Sequence, residues 1–168
     1  MRDVAALAAE MRDSCPATRV RAAGRMLRRL YDEALREIGI EMSQLPVLVA
    51  VALRGDRGLK ITEVARFLVM DRTSVTRAVR PLERKGLLHV ARSPDDARSK
   101  MVVITRAGEQ MVRRAYPRWE RTTRRIRERF GAVRVDALGA ELSALVAAGP
   151  RLARSSKPSS PSSPRRRG

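Results

Sequence analysis

The chain has 168 residues and a formal net charge of +18, with 36 lysines and arginines against 18 acids. That imbalance calls for a polyanionic partner, of which nucleic acid is the commonest. A single cysteine and a single histidine exclude an intrachain disulfide and a zinc site of the Cys/His type built from one chain. Apolar residues make up 43% but only 3% are aromatic, so a helical core of Leu, Val, Ile and Ala is expected. The length suits one domain with an added arm. No apolar run approaches the ~18 residues of a membrane span. The opening MRDVAALAAEMRD mixes acids into its short apolar stretch and does not read as a signal peptide, so a cytoplasmic, nucleoid-associated protein is expected. No phosphate-cradling loop, dinucleotide fingerprint or carboxylate pair is present, which argues against an enzyme; no cofactor and no metal is expected.

Residues 1–15 read as an N-terminal arm. Residues 16–38 read as the first long helix: Val20, Leu27, Leu30, Ala34 and Ile38 fall on one face, and Gly39 stops it. Ser43 is placed to cap a second helix, whose LPVLVAVAL run is apolar nearly all round and therefore buried. Residues 61–68 form a short helix with Ile61, Val64, Ala65 and Leu68 inward. Asp71 is an N-cap for the next one. There Val75, Val79 and Leu82 recur at i, i+4, i+7 and must face the core. At 100° per residue, Thr73, Arg77, Arg80 and Arg84 then gather on the opposite side. Such a face suits a DNA groove: a threonine methyl can touch a thymine methyl, and an arginine can bond guanine in bidentate fashion. Gly86 is a natural residue just past a helix end.

Two strands follow, residues 87–92 and 100–105, with turn residues Ser93, Pro94, Asp95, Asp96 and Ala97 between them. A hairpin tip carrying Arg98, flanked by Arg92 and Lys100, suits a narrow, electronegative minor groove. Thr105 caps a helix of roughly 25 residues, on which Met111, Ala115, Trp119, Ile126 and Phe130 mark an apolar stripe. Pro117 inside it predicts a kink. A last helix over residues 133–148 carries Leu138, Leu142 and Leu145 on one face. The segment 150–168 is low in complexity and is expected to be a disordered basic tail. Six of the positive charges lie in residues 151–168 without an acid, which leaves +12 for the rest. Dimerisation through the helices at both ends would cover their surplus apolar faces.

Four segments together resemble the multiple antibiotic resistance regulator (MarR) family of transcription factors: GRMLRRLYDEALREIGI, MDRTSVTRAVRPLERKGLL, SPDDARSKMVVITRAGEQMV and AYPRWERT. The resemblance covers about residues 21–148. It implies a mainly α (α+β) fold: a winged helix-turn-helix flanked by N- and C-terminal dimerisation helices. The domain would span residues 16–149, with the DNA-binding part at 43–105 and dimerisation helices at 16–38 and 106–149. It further implies a homodimeric repressor on a pseudo-palindromic operator in double-stranded DNA, released by a small-molecule effector. Arg72, Thr73, Ser74, Thr76, Arg77 and Arg80 would face the major groove or its phosphates. In the wing Arg98 would enter the minor groove, oriented by Asp96.

Three departures stand out. Val69 occupies a turn position where relatives often carry Gly, which implies either strain at positive φ or another turn geometry. Lys60 stands where a Thr or Ser cap is usual. Pro81 lies inside the recognition helix, off its inward face, where a late bend is tolerable.

Some residues admit two readings. Cys15 is either an incidental thiol or a redox sensor, the latter requiring a lowered pKa and access to oxidant. His89 is a strand-surface residue; a metal role would need partners from a second subunit. Tyr116 and Trp119 are either core or the lining of an effector pocket. A nucleoid-type protein that coats DNA with little sequence preference is the other binding reading.

Overall fold

The computed structural model describes residues 3–92 and 100–155. By internal packing the chain divides into two units, Met1–Thr123 and Arg124–Gly168, the boundary falling within a long helix.

In the first unit, helices α1 (Val4–Ser14) and α2 (Pro16–Leu35) come first. The segment expected as an arm is thus largely helical. A 3-10 turn, Arg36–Ile38, follows α2, and Gly39 ends it at φ 71°. Helix α3 (Leu45–Ala52) buries Leu45, Val47, Leu48, Ala50 and Val51, as its unbroken apolar run predicts. Its cap differs from expectation. The N-cap residue is Gln44, without a side-chain cap bond, and the Ser43 hydroxyl donates to Glu41 at 3.0 Å. Pro46 near the start of α3 needs no N–H partner there, so the helix begins one residue later.

Helices α4 (Ile61–Phe67) and α5 (Arg72–Arg84) form the helix-turn-helix. Strands β2 (Leu88–Arg92) and β3 (Lys100–Ile104) pair antiparallel, with Leu88 opposite Ile104 and Arg92 opposite Lys100. A third strand, β1 (Leu59–Lys60), pairs on the far side of β3, giving the order β1-β3-β2. Together these make the winged helix-turn-helix expected from the sequence. Gly58 precedes β1 at φ 61°, and a Cβ there would lie 2.7 Å from the Val102 carbonyl oxygen. Only glycine lets β1 approach β3 so closely. The core joins Leu35, Ile38, Ile40, the inner face of α3, Leu59, Val64 and Ala65, Val75, Val79 and Leu82, Leu87, Leu88, Val102, Ile104 and Ala115.

The turn from α4 to α5 resolves the question posed by Val69. The Met70 N–H donates to the Ala65 carbonyl at 2.8 Å and the Val69 N–H to the Arg66 carbonyl at 3.4 Å. This is the Schellman pattern, which places residue 69 in the left-handed region where glycine is preferred. Val69 takes φ 53° and is the one non-glycine residue of positive φ among those described. Its side chain is 70% exposed, so no packing compensates the strain. The same motif closes α5. There the Leu87 N–H reaches the Leu82 carbonyl at 2.9 Å and the Gly86 N–H reaches Glu83 at 2.8 Å. Gly86 sits at φ 67°, as expected.

Helix α6 (Arg106–Phe130) starts at Thr105, whose hydroxyl accepts the Gly108 N–H at 3.0 Å. Pro117 lies inside α6, which runs unbroken through it. The second unit holds the end of α6, a turn at Gly131 with φ 99°, and α7 (Ala132–Ser155). Arg127 of α6 pairs with Asp136 of α7, and the Arg134 guanidinium lies 4.2 Å from the Phe130 ring centre. Helix α7 continues past Pro150, where disorder was expected to begin. Proline forfeits one hydrogen bond, and the strong helix formers Arg151, Leu152, Ala153 and Arg154 follow it. The remainder of the expected tail lies outside the described residues.

Two substitutions measure these backbone constraints. Val69→Gly should raise stability by about 1 kcal/mol, because relief of left-handed strain outweighs the extra chain entropy of glycine. Gly108→Ala should cost several kcal/mol, about 3 or more, since overpacking against backbone cannot relax easily; its Cβ would meet the Leu87 carbonyl oxygen at 2.1 Å. Urea denaturation of both variants checks the two signs. A midpoint for Val69→Gly at or below that of the parent would contradict the strain argument.

Candidate nucleic-acid interface

Helix α5 is divided between two environments. Val75, Val79 and Leu82 are 0%, 3% and 0% exposed. Arg72, Thr73, Arg77, Arg80 and Arg84 are exposed. Burial of the apolar stripe therefore fixes the rotation of the helix and turns the cations outward. Arg72, Thr73, Thr76, Arg77 and Arg80 line one open groove along the outer face. Pro81 sits within the helix. Its ring lacks the N–H that would bond the Arg77 carbonyl.

The start of α5 is fixed by Asp71. Its carboxylate accepts the Ser74 N–H at 2.8 Å and the Ser74 hydroxyl at 2.6 Å. Ser74, expected to face DNA, thus has its hydroxyl proton committed to the cap. The Thr76 hydroxyl likewise donates to the Arg72 carbonyl at 2.8 Å, which leaves its methyl and oxygen lone pairs for outside contact. The Ser74 donors hold the Asp71 carboxyl below its ordinary pKa.

Strands β2 and β3 bring Arg92 and Lys100 directly opposite each other, both exposed. Like charges facing across a ladder repel. Among the described residues neither has an acidic partner, and neither do Arg72, Arg77 or Arg80. The ion pairs lie elsewhere, at Arg12–Asp13, Arg28–Asp32, Arg113–Glu109, Arg118–Glu37 and Arg127–Asp136. The structure therefore brings together Arg72, Thr73, Thr76, Arg77 and Arg80 on one face. It sets Arg92 and Lys100 at the base of the wing. Asp96 and Arg98, expected at the tip, lie outside the described residues.

Away from this face, Cys15 is half-buried at the N-cap of α2. The Thr18 N–H and hydroxyl beside it hold the thiol pKa below its ordinary value. His89 is exposed on β2. No group of acidic, histidine or cysteine side chains suited to a metal occurs among the described residues. No helix of the described chain is long and apolar enough to cross a membrane.

A second concavity lies between α3 and α6. It encloses 410 Å³ and is lined by Met42, Leu45, Pro46, Val49, Val112, Ala115, Tyr116 and Trp119. Tyr116 and Trp119 are thus wall residues, their ring centres 5.9 Å apart, while Ala115 beside them is core. The sequence pointed to the two aromatics. Met42, Pro46 and Val49 carry no signal that separates a cavity wall from a core.

The sequence model of the MarR family matches residues 38–99. Those are the residues that form α3, the helix-turn-helix, β1 and β2. Over these residues the chain matches the MarR family, and its fold is a winged helix-turn-helix. Solved structures agree. The M. tuberculosis transcriptional regulator MosR in complex with DNA is 28% identical, with a TM-score of 0.66 over 79% of this chain and 98% of that one. The transcriptional repressor CouR bound to a 23-mer duplex is 23% identical, with a TM-score of 0.71 over 81% and 95%. CouR from Rhodococcus jostii RHA1 bound to p-coumaroyl-CoA gives 23%, 0.65, 77% and 90%. No protein of curated function matches the sequence.

The Asp71 cap has a testable pH signature. Its folded pKa lies below the unfolded one. The charged cap therefore stabilises above the ordinary carboxylate value, and this contribution is lost as pH falls through the folded pKa. Asp71→Asn keeps a capping oxygen but cannot titrate. The melting temperatures of parent and variant should differ at neutral pH and converge as pH falls below the ordinary carboxylate range. A difference independent of pH would show that the carboxylate charge adds nothing.

Proposed function

We propose that this chain is a homodimeric, sequence-specific repressor of the MarR family that binds a pseudo-palindromic operator and is released by a small-molecule effector. One observation carries the reading. The outer face of α5 presents Arg72, Arg77 and Arg80 without acidic partners among the described residues, opposite a buried stripe. Uncompensated cations in that arrangement fit a major groove and its phosphates. Arg92 and Lys100 add the base of the wing. Asp96 and Arg98 complete it on the family pattern, the carboxylate orienting the guanidinium for the minor groove.

Dimerisation is supported by apolar side chains left in solvent. Val4, Leu7, Met11, Val20, Met26 and Leu30 are exposed on α1 and α2, and Val133, Leu138, Leu142, Leu145 and Val146 on α7. Contiguous apolar faces of this kind mark interfaces. A two-fold dimer also doubles the contacts available to one short helix. The effector reading is supported by the α3–α6 cavity, whose lining is almost wholly apolar. It suits an uncharged aromatic or aliphatic group.

Selection of bound duplexes from a random pool, followed by footprinting, tests the reading. It should return half-sites about 10 bp apart, one helical turn. Uniform protection would instead identify a nucleoid-type coating protein. Within the selected site, Arg77→Ala should weaken operator binding by ~1–3 kcal/mol and random-duplex binding much less, if Arg77 reads a base.

The cavity gives a separate measurement. Trp119 is the sole tryptophan of the chain and forms part of the wall. An apolar compound that releases the operator should therefore shift or quench its emission. Val49→Phe should fill the cavity, leave operator affinity unchanged and raise the concentration needed for release at least about tenfold. Equal release from parent and variant would place the effector elsewhere.

A further inference from the structure

Lys60 occupies the N-cap of α4 with an extended backbone, φ −65° and ψ 145°. A lysine ammonium only donates, so it cannot accept the free N–H groups of the first turn. Ser, Thr, Asp or Asn would do so. The other half of the cap is in place: Glu63 accepts the Lys60 N–H at 2.8 Å. The backbone is also pinned, since Lys60 pairs with Met101 on β3. A finished cap frame thus holds a residue that cannot cap.

That misfit coincides with a cationic notch. A concavity of 530 Å³ is lined by Lys60, Thr62, Arg72, Arg80 and Lys100, with Glu83 the one carboxylate among the described lining residues. None of the four cations has an acidic partner among the described residues. Arg72, Thr76 and Arg80 border both this notch and the open groove along α5. The notch therefore continues the face that carries the base-reading candidates.

We propose that this notch seats a backbone phosphate of the bound duplex, gripped by Lys60 together with Lys100 and Arg80. The inference rests on the DNA-binding reading and adds Lys60 and Thr62 to its contact surface. A flexible lysine is a point charge, suited to a phosphate rather than to a base edge. The cost is borne locally, as a poorer cap on α4. Lys60 then contributes to affinity and to its salt dependence, not to the choice of sequence.

The test uses the full chain with the selected operator and a random duplex. Binding is followed by fluorescence anisotropy over a series of chloride concentrations. Lys60→Ala should weaken both duplexes by the same factor and reduce the slope of log K against log salt by about 1. Lys60→Arg should restore the slope. Lys60→Ser should lose the same slope unit while raising the melting temperature, because it supplies the missing acceptor. A purely structural lysine would not give that opposed pair of effects. An unchanged slope in Lys60→Ala and Lys60→Ser would overturn the proposal, as would a loss confined to the operator. So would displacement of DNA by inorganic phosphate, at matched ionic strength, from the parent but not from Lys60→Ala, since the notch would then hold a free anion. If the parent itself binds neither duplex, the DNA-binding reading fails first, and the slope comparison never arises.

Discussion

The Thr105 hydroxyl lies 2.6 Å from the Gly86 carbonyl and 3.1 Å from that of Leu87, and it accepts the Gly108 N–H at 3.0 Å. Its single proton goes to the shorter contact, Gly86. The Thr105 N–H adds a bond to Leu87 at 3.2 Å. Residues 86 and 87 end helix α5 and lead into the wing, while residues 105 and 108 leave the wing and start α6. One side chain thus joins the recognition helix, both wing strands and the long helix at a single point. The junction is so tight that residue 108 must be glycine, its hydrogen facing the Leu87 carbonyl. The angle between α5 and the wing is set here, and a winged helix contacts two grooves only if that angle is held.

Rigidity at the junction contrasts with local rules broken around it. Val69 is held in a left-handed turn without packing to support it. Arg92 and Lys100 face each other across the ladder. Lys60 sits in a cap that it cannot fill. All three belong to the helix-turn-helix and wing, whose core is otherwise consistent at every level. Local violations in such a frame are expected where a surface serves a partner rather than the fold. For Arg92, Lys100 and Lys60 the relief, on the proposed reading, is a polyanion. For Val69 nothing in the structure supplies one.

The legible parts of this fold share one property: their signal is local and carried by chemistry that permits few alternatives. Asp71 caps α5, Gly86 closes it and Thr105 starts α6, because each role admits only a few residue types. The inward set of Val75, Val79 and Leu82 follows from helical periodicity alone, and with it the outward set of arginines. The candidate DNA face was legible for the same reason. Strand β1 was not, because two residues carry no alternation and their pairing is decided by β3 and by the clearance at Gly58. The Ser43 cap was misplaced because Ser43 and Gln44 precede the same apolar run, and the chain chose between them by burying Gln44. The notch at Lys60 joins residues 60 and 100, which only the sheet brings together. At residue 69 the sequence left two geometries open, and the Schellman bonds select the strained one.

The cavity and the candidate DNA face meet through α3. Val49 and Pro46 of this helix face the 410 Å³ concavity, while Val47, Leu48 and Val51 are fully buried in the core that also receives Val75, Val79 and Leu82. Cores are close-packed, so a helix wedged on one side cannot shift without moving what it packs against. Two further ties bear on the same lever. Asp32 of α2 accepts the Met42 N–H at 2.6 Å, fixing one rim of the cavity, and Lys85 at the end of α5 donates to the Gly39 carbonyl at 2.6 Å. Residues 39 and 42 lie on the one short connection between α2 and α3. An occupant that displaces Met42 therefore works on the segment that anchors the end of α5. On the proposed reading, effector release needs no long relay: a ligand that fits the cavity only with α3 shifted binds one arrangement of α5 better than the other, and that difference is all the coupling requires.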